Sequence, residues 1–114
     1  MDSKIRTYQF SLKIIRFIDN LPKDLSTNII SRQLLRAATS IGANIIEAKA
    51  SSSRRDFINF FNHSLKSANE TKYWLELLRD ADKANDQAIN LMIKEVEEIA
   101  NILASSVITL KSQK

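Results

Sequence analysis

Apolar residues recur at spacings of three and four along nearly the whole chain, which is the period of an amphipathic α-helix. Three short breaks divide this pattern into helices predicted over about residues 3–20, 24–49, 54–81 and 85–110. Pro22 marks the first break, because proline cannot continue a helix interior. Connections this short join antiparallel neighbours. The sequence therefore predicts one all-α domain over residues 1–114, an antiparallel up-down-up-down four-helix bundle.

The first predicted helix carries two apolar stripes. One stripe consists of Ile5, Tyr8, Leu12 and Ile15. The other consists of Phe10, Ile14, Phe17, Ile18 and Leu21. Either the helix is buried over a wide arc, or one stripe faces the bundle and the other a partner subunit.

The composition supports long helices with few turns. The 114 residues include one Gly, one Pro and no Cys, with 44% hydrophobic and 26% charged residues. Without cysteine, disulfides and thiolate metal sites are excluded. No apolar run approaches the roughly 20 residues of a membrane-spanning helix, and the charged N-terminal segment does not resemble a signal peptide. We expect a cytoplasmic protein that does not enter a membrane.

Positive charge is concentrated in the first part of the chain. Residues 1–79 hold 13 Lys and Arg against 7 Asp and Glu, a net of +6, within a total formal charge of +4. The candidate contacts for nucleic-acid phosphates are dispersed; they are Lys13, Arg16, Arg54, Arg55 and Lys66. Arg54 and Arg55 begin a predicted helix, where cations are disfavoured, so either an anion is held there or the helix start is simply solvated.

Residues suited to catalysis or metal binding are scarce. His63 is the single histidine, and Phe60 stands where a Glu-x-x-His motif of a di-iron bundle would need a glutamate. One histidine cannot support a Ser-His-Asp argument, and one glycine cannot form a phosphate loop. The sequence therefore predicts no enzymatic activity, no metal site and no cofactor.

A row of polar residues borders the apolar face of the second helix. It consists of Arg36, Ser40, Asn44 and Glu47 at helical spacing, and the third helix offers Ser67 and Glu70 opposite. An antiparallel pair would place Arg36 near Glu70, and Asn44 near Ser67 or His63. We favour a hydrogen-bonded network that fixes helix register; the alternative is a ligand or subunit contact.

Two segments carry a family resemblance. Residues 31–47 read SRQLLRAATSIGANIIE, and residues 53–61 read SRRDFINFF, followed by Ser67 and Glu70. The chain resembles the bacterial four-helix-bundle family of intervening-sequence proteins, encoded within inserts in 23S ribosomal RNA genes, which also includes the accessory variability determinant proteins of retroelements. It departs from the family pattern at Ile46, usually Ala, and at Ala48, usually Gly.

The resemblance implies a homopentameric, barrel-like assembly with a basic surface and no enzymatic activity. It also implies association with RNA or DNA and, in the retroelement members, contact with a reverse transcriptase. We therefore expect a homo-oligomer that binds nucleic acid, most readily structured RNA. The alternative is a protein-interaction scaffold for a reverse transcriptase or another nucleoprotein partner.

Overall fold

Each helix begins at a polar residue that accepts a hydrogen bond from a backbone N–H in the first turn. In the computed structural model, which describes residues 2–113, the helices are α1 (Ser3–Asp19), α2 (Leu25–Ala50), α3 (Arg54–Asp80) and α4 (Asp86–Ser112). The capping residues are Asp2, Asp24, Ser53 and Asn85. Such caps satisfy N–H groups that have no partner inside the helix. The predicted all-α fold class is confirmed.

The turn after α3 has the one positive φ angle among non-glycine residues 2–113, at Asp82 with φ 58°. The N–H of Asp82 donates to the carbonyl of Arg79 at 3.0 Å, and that of Lys83 donates to the carbonyl of Leu78 at 2.9 Å. These bonds satisfy carbonyls that the end of a helix leaves free. A tight reversal therefore leads α3 directly into α4.

The bundle is elongated, with extents of 49 × 21 × 20 Å. The closely packed helix pairs are α1 with α2, α2 with α3, and α3 with α4. Apolar side chains from all four helices form one core, whose largest fully buried members include Phe10, Ile14, Leu34, Ile41, Ile45, Leu75, Leu78, Ile89 and Leu103. No helix within residues 2–113 combines the length and apolar character needed to cross a membrane.

Small residues let α2 approach its two neighbours closely. A Cβ on Gly42 would lie only 3.1 Å from Oγ1 of Thr7, so the absence of a side chain there admits α1. On the other side of α2, the fully buried hydroxyl of Ser64 donates to the carbonyl oxygen of Ile41 at 2.8 Å. We call these two contacts, α1 against α2 and α2 against α3, the closed seams.

The two apolar stripes of α1 have different environments. Phe10, Ile14 and Leu21 of the second stripe are buried in the core. In the first stripe, Tyr8 is 65% exposed, Ile5 and Ile15 are also exposed, and Leu12 is half-buried. The single chain therefore does not bury α1 over a wide arc. Residues 2–113 leave the first stripe uncovered, and its contact with a partner subunit stays a prediction.

Candidate nucleic-acid and partner-binding surfaces

The contact between α1 and α4 differs from the closed seams because charged side chains form it. Arg6 donates to Oε1 of Glu98 at 2.6 Å and lies 3.8 Å from Glu95. Lys13 donates to the other carboxylate oxygen of Glu95 at 2.9 Å. We call this contact the open seam. The open seam links α1 to the middle of α4 and leaves a space between the two helices beyond it.

That space is a surface groove of about 770 Å³ between the C-terminal half of α1 and the N-terminal half of α4. Its apolar side chains are Phe17, Leu21, Ala84, Ala88, Leu91 and Met92. Three cations, Lys13, Arg16 and Lys83, also line it, against one carboxylate, Glu95. We call this space the α1–α4 groove. It is an elongated, mainly aliphatic depression with a basic rim.

The five cations that the sequence offered as nucleic-acid contacts are not brought together. Lys13 is engaged by Glu95, and together with Arg16 it lies near the C-terminal end of α1. Arg54 and Arg55 begin α3, at the opposite end of an antiparallel bundle. Arg16, Arg55 and Lys66 are exposed. These five residues therefore do not make one continuous surface.

The Arg54 guanidinium explains why a cation stands at the start of α3. It donates to the carbonyl oxygens of Leu110 and Gln113, the latter at 2.6 Å, at the C-terminal end of α4. A helix C-terminus carries partial negative charge and free carbonyls, so a cation stabilises it. The anion site considered for this position is unnecessary for Arg54, because α4 already supplies the acceptors.

The cationic surface lies instead on the α1–α2 half of the bundle. Residues 2–50 hold 8 Lys and Arg against 4 Asp and Glu, whereas residues 51–113 hold 8 against 9. Six of these cations are exposed and form no ion pair within residues 2–113; they are Lys4, Arg16, Lys23, Arg32, Arg36 and Lys49. The sequence already contained this signal, because residues 2–50, which span the first two predicted helices, hold twice as many cations as carboxylates. A count that continued to residue 79 obscured it.

The polar row on α2 satisfies its hydrogen bonds within single helices. The Ser40 hydroxyl donates to the carbonyl of Arg36, and the Asn44 amide donates to the carbonyl of Ser40, both at 2.8 Å. On α3, Glu70 accepts a 2.9 Å bond from the Trp74 indole N–H. Short polar side chains in a helix readily reach their own preceding carbonyls. These local bonds take up the groups that a network between helices would use.

The cross-helix pairings expected for this row are therefore absent within residues 2–113. Arg36 does not pair with Glu70, and Asn44 bonds neither Ser67 nor His63. Arg36, Glu47 and His63 are exposed. The prediction of an interhelical network through Arg36, Ser40, Asn44, Glu47, Ser67 and Glu70 is wrong for the isolated chain. The row remains as a solvent-accessible polar strip beside α3.

Asp24 has a strongly shifted pKa beside the α1–α4 groove. The neighbouring Thr27 hydroxyl, the Thr27 N–H and the Lys83 ammonium lower the pKa of Asp24 from 3.8 to about 2. The Thr27 N–H donates to one carboxylate oxygen of Asp24 at 2.9 Å. Lys83 approaches the second carboxylate oxygen at 3.2 Å. One carboxylate thus caps α2 and ties it to the loop before α4.

Metal-binding chemistry has no visible basis in the part of the chain that the structure describes. No group of three or more His, Asp or Glu side chains is placed to hold an ion there. The features that remain are two kinds of surface, a cationic half-bundle and an apolar groove with a basic rim.

Comparison with known proteins finds one similar family and a similar solved structure. A family model described as 23S rRNA-intervening sequence protein matches residues 2–105. A crystal structure described as a protein with unknown function from the S23 ribosomal protein family, from Bacteroides thetaiotaomicron VPI-5482, is 38% identical, with a TM-score of 0.86. The match covers 93% of this chain and 98% of that one. No curated protein matches the chain.

Proposed function

This chain belongs to the 23S rRNA-intervening sequence protein family, and from that premise we propose that it is a cytoplasmic, non-enzymatic homo-oligomer that binds nucleic acid. Structured RNA is the proposed ligand, and a pentamer is the proposed assembly, as the family resemblance implies. The binding surface is the cationic α1–α2 half of each subunit. The observation that carries the proposal is the set of exposed cations there that have no ion-pair partner.

Phosphates bind to cations that are not already neutralised. Arg32 and Arg36 lie one turn apart on α2, and both are exposed without an ion pair within residues 2–113. Of the four carboxylates in residues 2–50, Asp2 and Asp24 are occupied as helix caps. Neutralising phosphates with such cations releases counterions and makes binding dependent on salt. A ring of subunits would add these surfaces together.

The exposed stripe of α1 supports assembly. Ile5, Tyr8 and Ile15 expose apolar area on one face of a helix whose other face is fully packed. Contiguous exposed apolar surface is typical of protein contacts. Light scattering and native mass spectrometry would measure the subunit number. Tyr8→Lys is expected to reduce the mass, whereas Tyr73→Lys, at a similarly exposed tyrosine on α3, should not; a monomeric parent protein would contradict the assembly proposal.

Fluorescence anisotropy with a labelled RNA hairpin over a salt series tests nucleic-acid binding. The double variant Arg32→Gln/Arg36→Gln is expected to weaken binding and to reduce the slope of log affinity against log salt by about two. Lys94→Gln/Lys111→Gln is the matched control, since it removes two exposed charges from α4. Absence of binding at low salt, or an equal loss in both double variants, would exclude this surface.

A further inference from the structure

We propose that the α1–α4 groove is a docking site for an amphipathic helix of a partner protein, with apolar anchors on one face and carboxylates beside them. This site lies on the other side of α1 from α2, and Arg16 is the one cation that it shares with the proposed nucleic-acid surface. The groove's apolar floor, its dimensions and the charge of its rim all suit such a helix.

The groove exposes apolar surface that the chain does not cover. Leu91 is 66% exposed, although it stands on the flank of α4 that faces α1. Phe17, on the opposite wall formed by α1, packs against the core and is only partly buried. Met92 and Leu21 are nearly buried and form the base. An aliphatic floor between two parallel walls is the form of a helix-in-groove site.

The dimensions suit a short helical segment. The lining residues extend from Lys13 to Leu21 on α1 and from Ala84 to Glu95 around the start of α4. At a rise of about 1.5 Å per residue, these walls are roughly 12–16 Å long. Two to three turns of helix would fill this length. Anchors at positions i, i+3 or i+4, and i+7 would then lie along the floor.

The charge of the rim selects the partner. Lys13, Arg16 and Lys83 line the groove. Glu95, the one carboxylate in the lining, accepts from Lys13, and Asp24 outside the lining pairs with Lys83. The Arg16 guanidinium has no ion-pair partner within residues 2–113. An occupant with carboxylates beside its apolar face complements this rim, because opposite potentials across an interface favour encounter and fix register.

The same charges disfavour two other occupants. A second copy would offer its exposed α1 stripe, but Lys4 and Arg16 flank that stripe, so cations would meet the cationic rim. A nucleic acid would satisfy the rim with phosphates but would leave the aliphatic surface of Leu91 and Phe17 without an apolar partner. An acidic amphipathic helix satisfies both the floor and the rim.

A designed peptide provides the probe. It is a labelled peptide of about 12 residues with Leu at i, i+3, i+4 and i+7 and Glu at the flanking positions, a length that spans the groove. Fluorescence polarisation against the full chain is expected to show saturable binding. A peptide of identical composition, with its Leu residues reordered so that they share no helical face, should not bind. A version with Lys in place of Glu should also not bind.

Two protein variants locate the site. Leu91→Glu, at an exposed residue that folding does not need, is expected to weaken binding of the designed peptide at least roughly tenfold. Ile108→Glu adds the same charge to an exposed position of α4 outside the groove and should leave binding unchanged. RNA binding by Leu91→Glu should persist, so that failure of the groove proposal and failure of the nucleic-acid proposal are separate outcomes.

Three results would overturn the inference. Equal binding of the reordered peptide would mean that charge alone attracts it. Equal affinity of the parent and Leu91→Glu would place the peptide elsewhere. A lower oligomer mass for Leu91→Glu in light scattering, without peptide, would mean that the groove is filled by another copy of the chain.

Discussion

Helix α2 meets α3 through small, buried side chains, whereas α1 meets α4 through charged side chains at the surface. In the first contact a fully buried serine hydroxyl bonds a backbone carbonyl, and Ala37 and Ala68 are buried as well. In the second, Arg6 and Lys13 reach the same glutamate, and the groove opens beside them. Buried side chains thus form part of the first contact, and exposed or half-buried charges form part of the second.

The difference separates the part of the molecule that maintains the fold from the part where the proposed partner helix would dock. Burial of apolar area stabilises a protein by about 25 cal/mol per Å². Exposed ion pairs contribute only roughly 0–1 kcal/mol each. The stability of the bundle should therefore depend on the closed seams and the core. The open seam can exchange its contacts for those of a ligand with little loss of stability.

The largest expected contrast is between two leucines. Leu34 of α2 is fully buried, whereas Leu91 of α4 is 66% exposed in the groove. Leu34→Ala removes core contacts and leaves a cavity, so we expect a loss of about 2–5 kcal/mol in the free energy of unfolding. Leu91→Ala should change it by less than about 0.5 kcal/mol. Urea titrations of both variants provide the measurement, and similar losses would contradict the distinction between the seams.

Enlarging Gly42 tests the closed seam between α1 and α2. A Cβ added at Gly42 would lie only 3.1 Å from Thr7 Oγ1. The larger side chain of Gly42→Leu must therefore displace α1, which should lower the free energy of unfolding by about 1–3 kcal/mol. Ala43→Leu is the matched control, since Ala43 is the next residue and is exposed. Denaturation midpoints compare the two. An equal loss in the control would exclude crowding at Thr7 as the cause, because helix propensity favours Leu over Gly and hardly distinguishes Leu from Ala.

A smaller effect is expected from the hydroxyl that joins α2 to α3. Ser64→Ala removes a buried hydrogen bond to Ile41 and should cost about 1 kcal/mol of unfolding free energy. Ser40→Ala removes a hydroxyl that bonds its own helix and is only half-buried, so a smaller change is expected. Thermal melts of both variants measure the difference. A Ser64→Ala protein as stable as the parent would show that packing alone closes this seam.

The smallest effect concerns Asp24, which bridges to Lys83 near the groove. Its pKa is about 2 in the folded protein, below the ordinary 3.8. The ionised carboxylate therefore stabilises the fold above about pH 4, and this contribution is lost as the pH falls through about 2. Asp24→Asn keeps a capping oxygen but no charge. The variant should melt at a lower temperature than the parent at neutral pH, and the two melting temperatures should converge near pH 2. A difference in melting temperature that does not change with pH would exclude titration of Asp24 as its cause.

Helix positions were predictable from the sequence because local signals determine them. Asp24, Ser53 and Asn85 cap helices that begin within one residue of the predicted starts at 24, 54 and 85. The periodic apolar residues identified the core, including Phe10 and Ile14. These features depend on only a few neighbouring residues, so the sequence pattern contained them.

The surfaces were less predictable because they depend on distances between helices. The Asn44 amide could hydrogen-bond either a carbonyl of its own helix or a side chain of α3. A difference of about 1 Å in helix separation decides which bond forms. The groove depends on the separation of α1 and α4 beyond the ion pairs of Arg6 and Lys13, which periodicity does not reveal. The contact of Arg54 with the C-terminal end of α4 was predictable, because antiparallel order places the end of α4 beside the start of α3.

The closely packed helix pairs are all consecutive in the chain, and this order has a consequence for folding. Each helix finds its main partner immediately before or after it, so few distant segments must meet before stable structure forms. Proteins dominated by such contacts fold in microseconds to milliseconds. During synthesis, the pair of α1 and α2 can close before α4 has left the ribosome. The cationic half of the molecule would then be complete while its own messenger RNA is still being translated.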